Sequence, residues 1–238
     1  MEILRYDSLS STNAVLLEMS KKSAKSWTAI WTSDQTQGKG YAGNVWTSEK
    51  NKNIAVSLLI INNLNYSELI YFNEWVCNCI CELLENYSNE VFVKWPNDII
   101  IKNKKVCGVL IETYKSDNQM NIIIGIGLNV NQEDYSHLPK AGSIFTQTGN
   151  KLDLEEILSD LLTKLESSYD FIQNKDWNSI IETYNSNLFR KNKVSAFQSE
   201  NQIFNGIIQE VNELGLLKVK LENNEFKEFK HKEIELLY

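Results

Sequence analysis

The chain has 238 residues, 42% of them apolar and 23% charged, which is ordinary globular usage and excludes a disordered chain, a collagen-like repeat and a disulfide knot. At about 150 residues per domain the length corresponds to roughly 1.6 domains, one large unit with or without a small one. The net charge of −7, from 24 Lys and Arg against 31 Asp and Glu, argues against a broad electrostatic footprint for DNA or an anionic membrane.

The start, MEILRYDSLSST, has no basic n-region and no apolar h-region, so no signal peptide is expected. Ile3 to Tyr6 reads as a short strand. Ser10-Ser11-Thr12-Asn13 offers several N-caps for a helix running to about Lys22. Residues 27–33 alternate as a strand does, 34–46 form a polar glycine-rich loop, and 53–61 (NIAVSLLII) form a buried strand. An amphipathic helix is expected over 66–87. In it Cys77 and Cys81 share a face and Cys79 points away. With His137 and His231 far off in sequence, the three read as buried or half-buried reduced thiols rather than a metal site. VFVKW, DIIIK, VCGVLIETY and MNIIIGIGLNV follow as four successive strands, turned at Pro96-Asn97, Asn103-Lys104 and around Asp117-Asn118. Two helices fill 153–187. Runs of strands flanked by helices make an α+β fold with a mixed or antiparallel sheet, not a strict βαβ alternation.

From Lys193 the pattern changes to short alternating stretches. Turn signals separate them at Ser199-Glu200-Asn201, Asn212-Glu213-Leu214-Gly215 and Asn223-Asn224. This reads as a small antiparallel barrel of four or five strands. The domains are therefore expected at 1–187 and 188–238. No Pro/Gly/Ser-rich linker separates them, so they should pack closely. The longest apolar runs, IAVSLLII and NIIIGIGLNV, fall short of the roughly 20 residues of a spanning helix. A cytoplasmic location away from membranes is expected.

Four segments can carry chemistry. In SDQTQGKGYAGNVW (33–46) three glycines and a lysine suit an anion, through open backbone N–H groups and a cation. The Walker A spacing is absent, and the G-x-G-x-x-G of Gly38, Gly40 and Gly43 precedes a strand rather than a helix. A surface hairpin is the plain alternative. In VFVKWPNDIIIK (91–102) Lys94 lies in an apolar strand. It either points into a closed pocket, as a point charge for a carboxylate and a phosphate, or faces solvent with Phe92. Gly108, Gly125 and Gly127 interrupt strands, at a cost of up to about 1 kcal/mol each. A ligand lying flat on the sheet explains that, and so does a closely packed helix. Ser11-Thr12-Asn13 is either a helix cap or a set of polar groups for a ligand head.

In this order and at these separations, the segments resemble the biotin–protein ligase family. The resemblance runs through SSTN (10–13), DQTQGKGYAGNVW (34–46), KWPND (94–98), CGVLIE (107–112) and GIGLNVN (125–131), and takes in the C-terminal barrel. It implies a class II synthetase-like catalytic domain and an SH3-like barrel. Since SSTN begins at residue 10, it also implies a short form without the N-terminal DNA-binding domain that some relatives carry, and hence no DNA partner. The implied activity uses Mg-ATP to turn biotin into biotinyl-5′-AMP, releasing pyrophosphate. The biotinyl group then passes to a lysine of a biotin carboxyl carrier protein, as in acetyl-CoA carboxylase.

Carried over residue by residue, the resemblance places Ser11, Thr12 and Asn13 on biotin, with Thr12 and Gln35 near its ureido head. Gly38, Lys39, Gly40 and Tyr41 belong to a loop that folds over biotin and the adenylate. Gly108 and Leu110 line the biotin floor. Lys94 meets the biotin carboxylate and the α-phosphate, and Lys94 and Lys39 form the catalytic pair. Trp46, Asn97 and Asn129 belong to the nucleotide site, Asn129 near the phosphates and Mg²⁺. No protein metal ligand is implied, and a homodimer is expected by analogy. The better-known bacterial members carry a more basic loop, GRGRRGR, where this chain has GKGYAGN, with Tyr41 at the second arginine position; Arg5 and Arg190 are the only arginines. Retention of the adenylate is therefore expected to rest on Lys39, Lys94 and backbone amides, with Tyr41 as a packing lid and a 36–46 loop unordered without ligand. Two other functions compete: a lipoate–protein ligase or octanoyltransferase with the same acyl logic, and a non-enzymatic module. The mixed signs of KLENNEFKEFKHKEIELLY speak against RNA binding by the barrel.

Overall fold

The computed structural model describes residues 1–22, 24–116, 119–200 and 202–238. The turn expected around Asp117-Asn118, and Asn201 of the turn after Ser199, lie outside them. The elements in order are β1 (Glu2–Arg5), α1 (Thr12–Ser20), β2 (Thr28–Thr32), β3 (Gly38–Lys39), β4 (Val45–Trp46), β5 (Asn53–Asn62), α2 (Leu69–Leu84), β6 (Val91–Lys94), β7 (Asp98–Ile101), β8 (Lys104–Ser116) and β9 (Gln119–Asn129). Then come α3 (Ile144–Thr148), α4 (Leu154–Ser167), α5 (Asp170–Gln173), α6 (Trp177–Ser186), β10 (Val194–Ser199), β11 (Gln202–Val211), β12 (Leu217–Leu221), β13 (Phe226–Phe229) and β14 (Glu235–Leu237).

Seven strands form one mixed sheet in the order β1-β2-β5-β9-β8-β7-β6, in which β1 and β2 are parallel and the other pairs antiparallel. Helices cover both faces. On one, Val56, Leu58, Ile124 and Ile126 join a core cluster that takes in α2, α4 and α6, with α2 against β6, β7 and β8 and α4 against β5. On the other, Leu16 of α1 closes on Ile30, Leu59 and Ile123. This two-sided cover is why all five residues of β2 are buried although their pattern alternates. Cys77, Cys79 and Cys81 are all buried and free, as expected of buried or half-buried reduced thiols. Cys79 Sγ sits 3.1 Å from Ser168 Oγ, and burial pushes its thiol up to about 12.

Three helices, not two, fill 154–186. A left-handed residue at Lys175 (φ 52°) and an N-cap at Asp176, whose side chain accepts from Ser179 N, start α6 separately from α5. The loop at 34–46 contains a small hairpin, β3 with β4 in the register Gly38↔Trp46, and a single 3-10 turn at Tyr41–Gly43. The segment expected to be unordered is thus a defined hairpin. The C-terminal unit is a five-stranded antiparallel sheet in the order β13-β12-β11-β10-β14. Its outer strands β13 and β14 do not pair among the described residues, so the expected barrel is an open sheet folded over Phe197, Val219 and Phe229. No helix among the described residues is long and apolar enough to cross a membrane.

Candidate functional site

The strand registers line up two rows of residues across the helix-α1 face of the large sheet. One reads Lys94↔Asp98↔Gly108↔Gly127↔Ala55↔Thr32, and the other Leu110↔Gly125↔Ser57↔Ile30. Facing side chains in adjacent strands stand about 5 Å apart. The first row therefore makes a shelf without side chains at its centre, with a charged end. Trp46, delivered by the β3–β4 hairpin, lies on that shelf: a Cβ on Gly127 would strike its indole, and one on Gly108 would come 3.2 Å from it. A Cβ on Gly125 would strike the carboxamide of Asn13 at the start of α1. The strand glycines thus make room for the start of α1 and for the Trp46 ring.

The helix start is wired by hydrogen bonds. Ser11 caps α1 by accepting from Ala14 N. Gln35 Oε1 accepts from Thr12 N at 2.9 Å and from Thr12 Oγ1 at 3.2 Å. Ser57 Oγ lies 2.7 Å from Thr12 Oγ1 and 2.5 Å from Asn13 Oδ1, and Asn13 Nδ2 donates to Glu112 Oε2 at 2.8 Å. These bonds fix the amide orientations. Gln35 keeps its NH₂ free for a ligand acceptor, and the carboxylate of Glu112 holds the Asn13 oxygen toward Ser57. The KWPND turn, with a cis Trp95–Pro96 bond, is held from behind, as Pro96 O accepts from Asn73 Nδ2 of α2 (2.7 Å) and Tyr184 Oη of α6 (2.8 Å). Asn97 turns inward and donates to Val109 O at 2.7 Å.

These parts enclose a cavity of about 200 Å³. Ser11, Thr12, Asn13, Gln35, Lys39, Gly40, Tyr41, Trp46, Lys94, Asn97, Gly108 and Leu110, all marked in the sequence, line it. Lys94, its side chain 24% exposed, points into it rather than to open solvent. Gly38 and Asn129 do not line it. Gly38 is buried at the base of the hairpin against Gln35 and Trp46. Asn129 lies on the same face two residues beyond Gly127 and donates to Gly142 O at 2.9 Å.

Three titratable lining residues escaped the sequence reading. Asp98 sits inside KWPND but reads as the start of a strand. Its Oδ1 is 2.5 Å from Lys105 Nζ and its Oδ2 3.4 Å from Lys94 Nζ, so one carboxylate separates two ammonium groups. Lys105 falls between the expected Asn103-Lys104 turn and the strand VCGVLIETY, and its ammonium also lies 5.6 Å from the centre of the Trp46 ring. His231 comes from the C-terminal unit, where its ring meets Tyr41 edge-on at 4.6 Å and Trp95 at 5.9 Å. Burial, then the charge of Lys94, holds its pKa below the usual 6.5. The only signal for it was that the chain has two histidines.

Chemically, the cavity offers neutral donors and acceptors at one end, an apolar and aromatic shelf in the middle, and two lysines on one aspartate at the other, with Lys39 also in its lining. Two buried polar atoms, the Trp46 indole N–H and Asn129 Oδ1, have no hydrogen-bond partner among the described residues. A ligand supplying an acceptor and a donor there would satisfy them.

Comparison with known proteins agrees with that geometry. The chain is 28% identical over 173 residues to the bifunctional ligase/repressor BirA of Bacillus subtilis, covering 70% of this chain and 53% of that protein. It is 27% identical over 164 residues to the biotin–[acetyl-CoA-carboxylase] ligase of Mycobacterium tuberculosis, covering 66% and 60%. The chain spans about half the length of the curated relatives it matches. A solved structure of biotin protein ligase from Aquifex aeolicus in complex with biotin and ATP superposes with a TM-score of 0.80 at 26% identity, over 99% of this chain and 98% of that one. The model of the biotin/lipoate A/B protein ligase family matches residues 6–129, a span that holds both rows of the site except what the C-terminal unit adds, and the chain belongs to that family.

Proposed function

We propose that the chain is a biotin–protein ligase. It would activate biotin with ATP to biotinyl-5′-AMP and transfer the biotinyl group to a lysine of a biotin carboxyl carrier protein. The observation that carries this reading is that the polar helix start and Lys94 open into one cavity from opposite ends of a shelf bare of side chains. A bicyclic urea with an aliphatic acid arm fits that layout. The ureido group meets Thr12, Asn13 and Gln35, the arm lies over Gly108, Gly125 and Leu110, and the carboxylate reaches Lys94.

In the first step a carboxylate oxygen of biotin forms a bond to the α-phosphorus and the bond to the β-phosphate oxygen breaks. That oxygen leaves as pyrophosphate with the electron pair. Attack of one anion on another is opposed by their charge, and Lys94 and Lys39 offset that repulsion while holding the two in line. In the second step the neutral amine of the carrier lysine attacks the acyl carbon and expels AMP. Lys39, Gly40, Tyr41 and Trp46 of the hairpin shield the anhydride from water between the steps. Asn97 and Asn129 are assigned to the nucleotide side, supported for Asn129 by its unpartnered oxygen. Among the described residues no cluster of three His, Cys, Asp or Glu side chains could hold a metal, and Asp98 is taken by two lysines. Magnesium would accompany ATP on its phosphates and offset part of their charge.

The reading divides the chain at 187/188, supported by the two separate sheets. It includes a homodimer, for which β1 offers a sheet edge with Ile3 half exposed, and no operator binding, supported by the charge of −7. Sedimentation equilibrium and a gel shift check these two. The activity is tested by ATP–pyrophosphate exchange with biotin, with lipoate or with neither, in wild type and Lys94→Ala. Exchange that requires biotin and is lost in Lys94→Ala is the expected result. Exchange with lipoate alone, or with neither acid, would overturn the assignment.

A further inference from the structure

We infer that Lys105 is a nucleotide-binding residue of this chain, taking the phosphates beyond the one that Lys94 holds. The inference deepens the proposed activity and rests on it for the identity of the nucleotide.

Its basis is a break in the sheet. Along β8 the side chains alternate, and Gly108, Leu110 and Glu112 belong to the cavity face. Continued backward, alternation gives that face to position 106 and turns Lys105 away. The pairing of β7 with β8 shifts register instead, from Ile99↔Cys107 to Ile100↔Lys105, and Val106 is left without a partner. A bulge of this kind re-aims a side chain. Here it buries Val106 completely and swings Lys105 onto the shelf, where it lines the cavity. The backbone locks the arrangement: Lys105 N donates to Lys140 O at 2.8 Å and Gly142 N donates to Lys105 O at 3.0 Å. The missing side chain at 108 leaves room for the lysine, because a Cβ there would stand 3.3 Å from its Nζ.

The charge pattern says what Lys105 is for. The hairpin that closes the cavity carries Lys39 as its one cation, with Tyr41 and Asn44 beside it. Magnesium offsets about two of the four negative charges of a nucleoside triphosphate, and what remains is spread along three phosphates, of which Lys94 meets the one beside the acid. Lys105 is a third ammonium group on the shelf, and its carboxylate partner Asp98 is shared with Lys94. In the absence of a nucleotide Asp98 holds the two ammonium groups at its two oxygens. Each ammonium has three donors, so it can keep Asp98 on one side and take a phosphate oxygen on another. Since Asp98 separates the two lysines, a polyphosphate that spans it engages both, with Lys94 on the phosphate next to the acid and Lys105 on the group that departs.

The test compares Lys105→Met and Lys105→Arg with wild type in two assays. Calorimetric titration with α,β-methylene-ATP reports binding without turnover. Biotin-dependent ATP–pyrophosphate exchange reports the KM for ATP, the KM for biotin and inhibition by added pyrophosphate. Lys105→Met should weaken analogue binding and raise the KM for ATP about tenfold, and should weaken pyrophosphate inhibition likewise. The KM for biotin should stay within twofold, and Lys105→Arg should recover most of the loss. Biotin-induced thermal stabilisation equal to wild type shows that the variants fold. Analogue affinity and pyrophosphate inhibition within twofold of wild type in Lys105→Met would overturn the inference. If wild-type protein binds the analogue and Lys105→Met loses that binding, while biotin-dependent exchange is missing even in wild type, the activity falls and the role of Lys105 stands.

Discussion

At position 125 a single methyl group decides whether the start of α1 can sit on the sheet. Gly125→Ala drives a carbon into the carboxamide of Asn13, whose other contacts are Ser57 and Glu112. The amide has to leave that network, and the polar end of the cavity loses its shape. The expected outcome is at least a tenfold rise in the KM for biotin with the KM for ATP nearly unchanged, read from exchange kinetics. An equal rise in both would show that the damage spreads along the shelf. Residue identity was legible wherever the chemistry lies in the side chain itself, as in Thr12, Gln35 and Lys94, or in a missing one, as in Gly108. It was illegible where geometry reassigns a face. Nothing in the string NKKVCG tells Lys104 from Lys105, and only the bulge at Val106 does. Asp98 was missed for a related reason, since its importance comes from two lysines that the turn and the bulge bring to it.

Helix α2 shows the same limit at the scale of elements. Its existence and span were plain from its periodicity, but a one-sided amphipathic helix was expected and a helix buried on nearly all sides was found. The difference arises because α4 and α6 cover the side away from the sheet, a pairing between segments about 80–100 residues apart. Glu74 is caught in that contact. It is 1% exposed, neither carboxylate oxygen has a hydrogen-bond partner among the described residues, and Asn78 Oδ1, one turn on, is also unpartnered. Three acceptors without a donor favour a proton on Glu74, and burial raises its pKa to about 8. The unfolded chain titrates near 4.5, so between these values the folded state holds a proton that the unfolded state has lost. Stability from this group is complete below about pH 4.5, declines as the pH rises toward about 8 and is level above that. Glu74→Gln keeps the shape, adds a donor for Asn78 and removes the titration. The variant should match wild type in stability from urea unfolding near pH 5 and exceed it at pH 8.5 by about 4 kcal/mol. A wild-type minus variant difference that does not change with pH would show that Glu74 carries no buried proton.

Over the whole molecule, the question is why the large sheet carries a second sheet at its end. The two meet at the site. Trp95 of the KWPND turn donates its indole N–H to Gly215 O at 3.1 Å, and His231 stands between Trp95 and Tyr41. The C-terminal unit was legible as a run of short strands, but this join was not, because no local pattern records which loop of one sheet faces which loop of the other. The join makes the hairpin's cover depend on the C-terminal unit, since Tyr41 rests its ring against His231. Such an edge-on aromatic contact is worth about 1 kcal/mol, which corresponds to roughly a fivefold change in a rate that requires breaking it. Biotinyl-AMP release is that rate, if the hairpin must open for the adenylate to leave. Tyr41→Ala and His231→Ala should each speed release about fivefold, and the double variant should be no faster than the quicker single one, since both remove the same contact. Acid should act the same way in wild type only. His231 faces Lys94 and Lys232, which disfavour its proton, and Asp98, which favours it. As the pH falls below 6.5 an added charge beside Lys94 loosens the seam and release quickens, whereas His231→Ala shows no such acceleration over the same range. Rates that multiply in the double variant would mean that Tyr41 and His231 act on different barriers, and that the C-terminal sheet does not hold the hairpin.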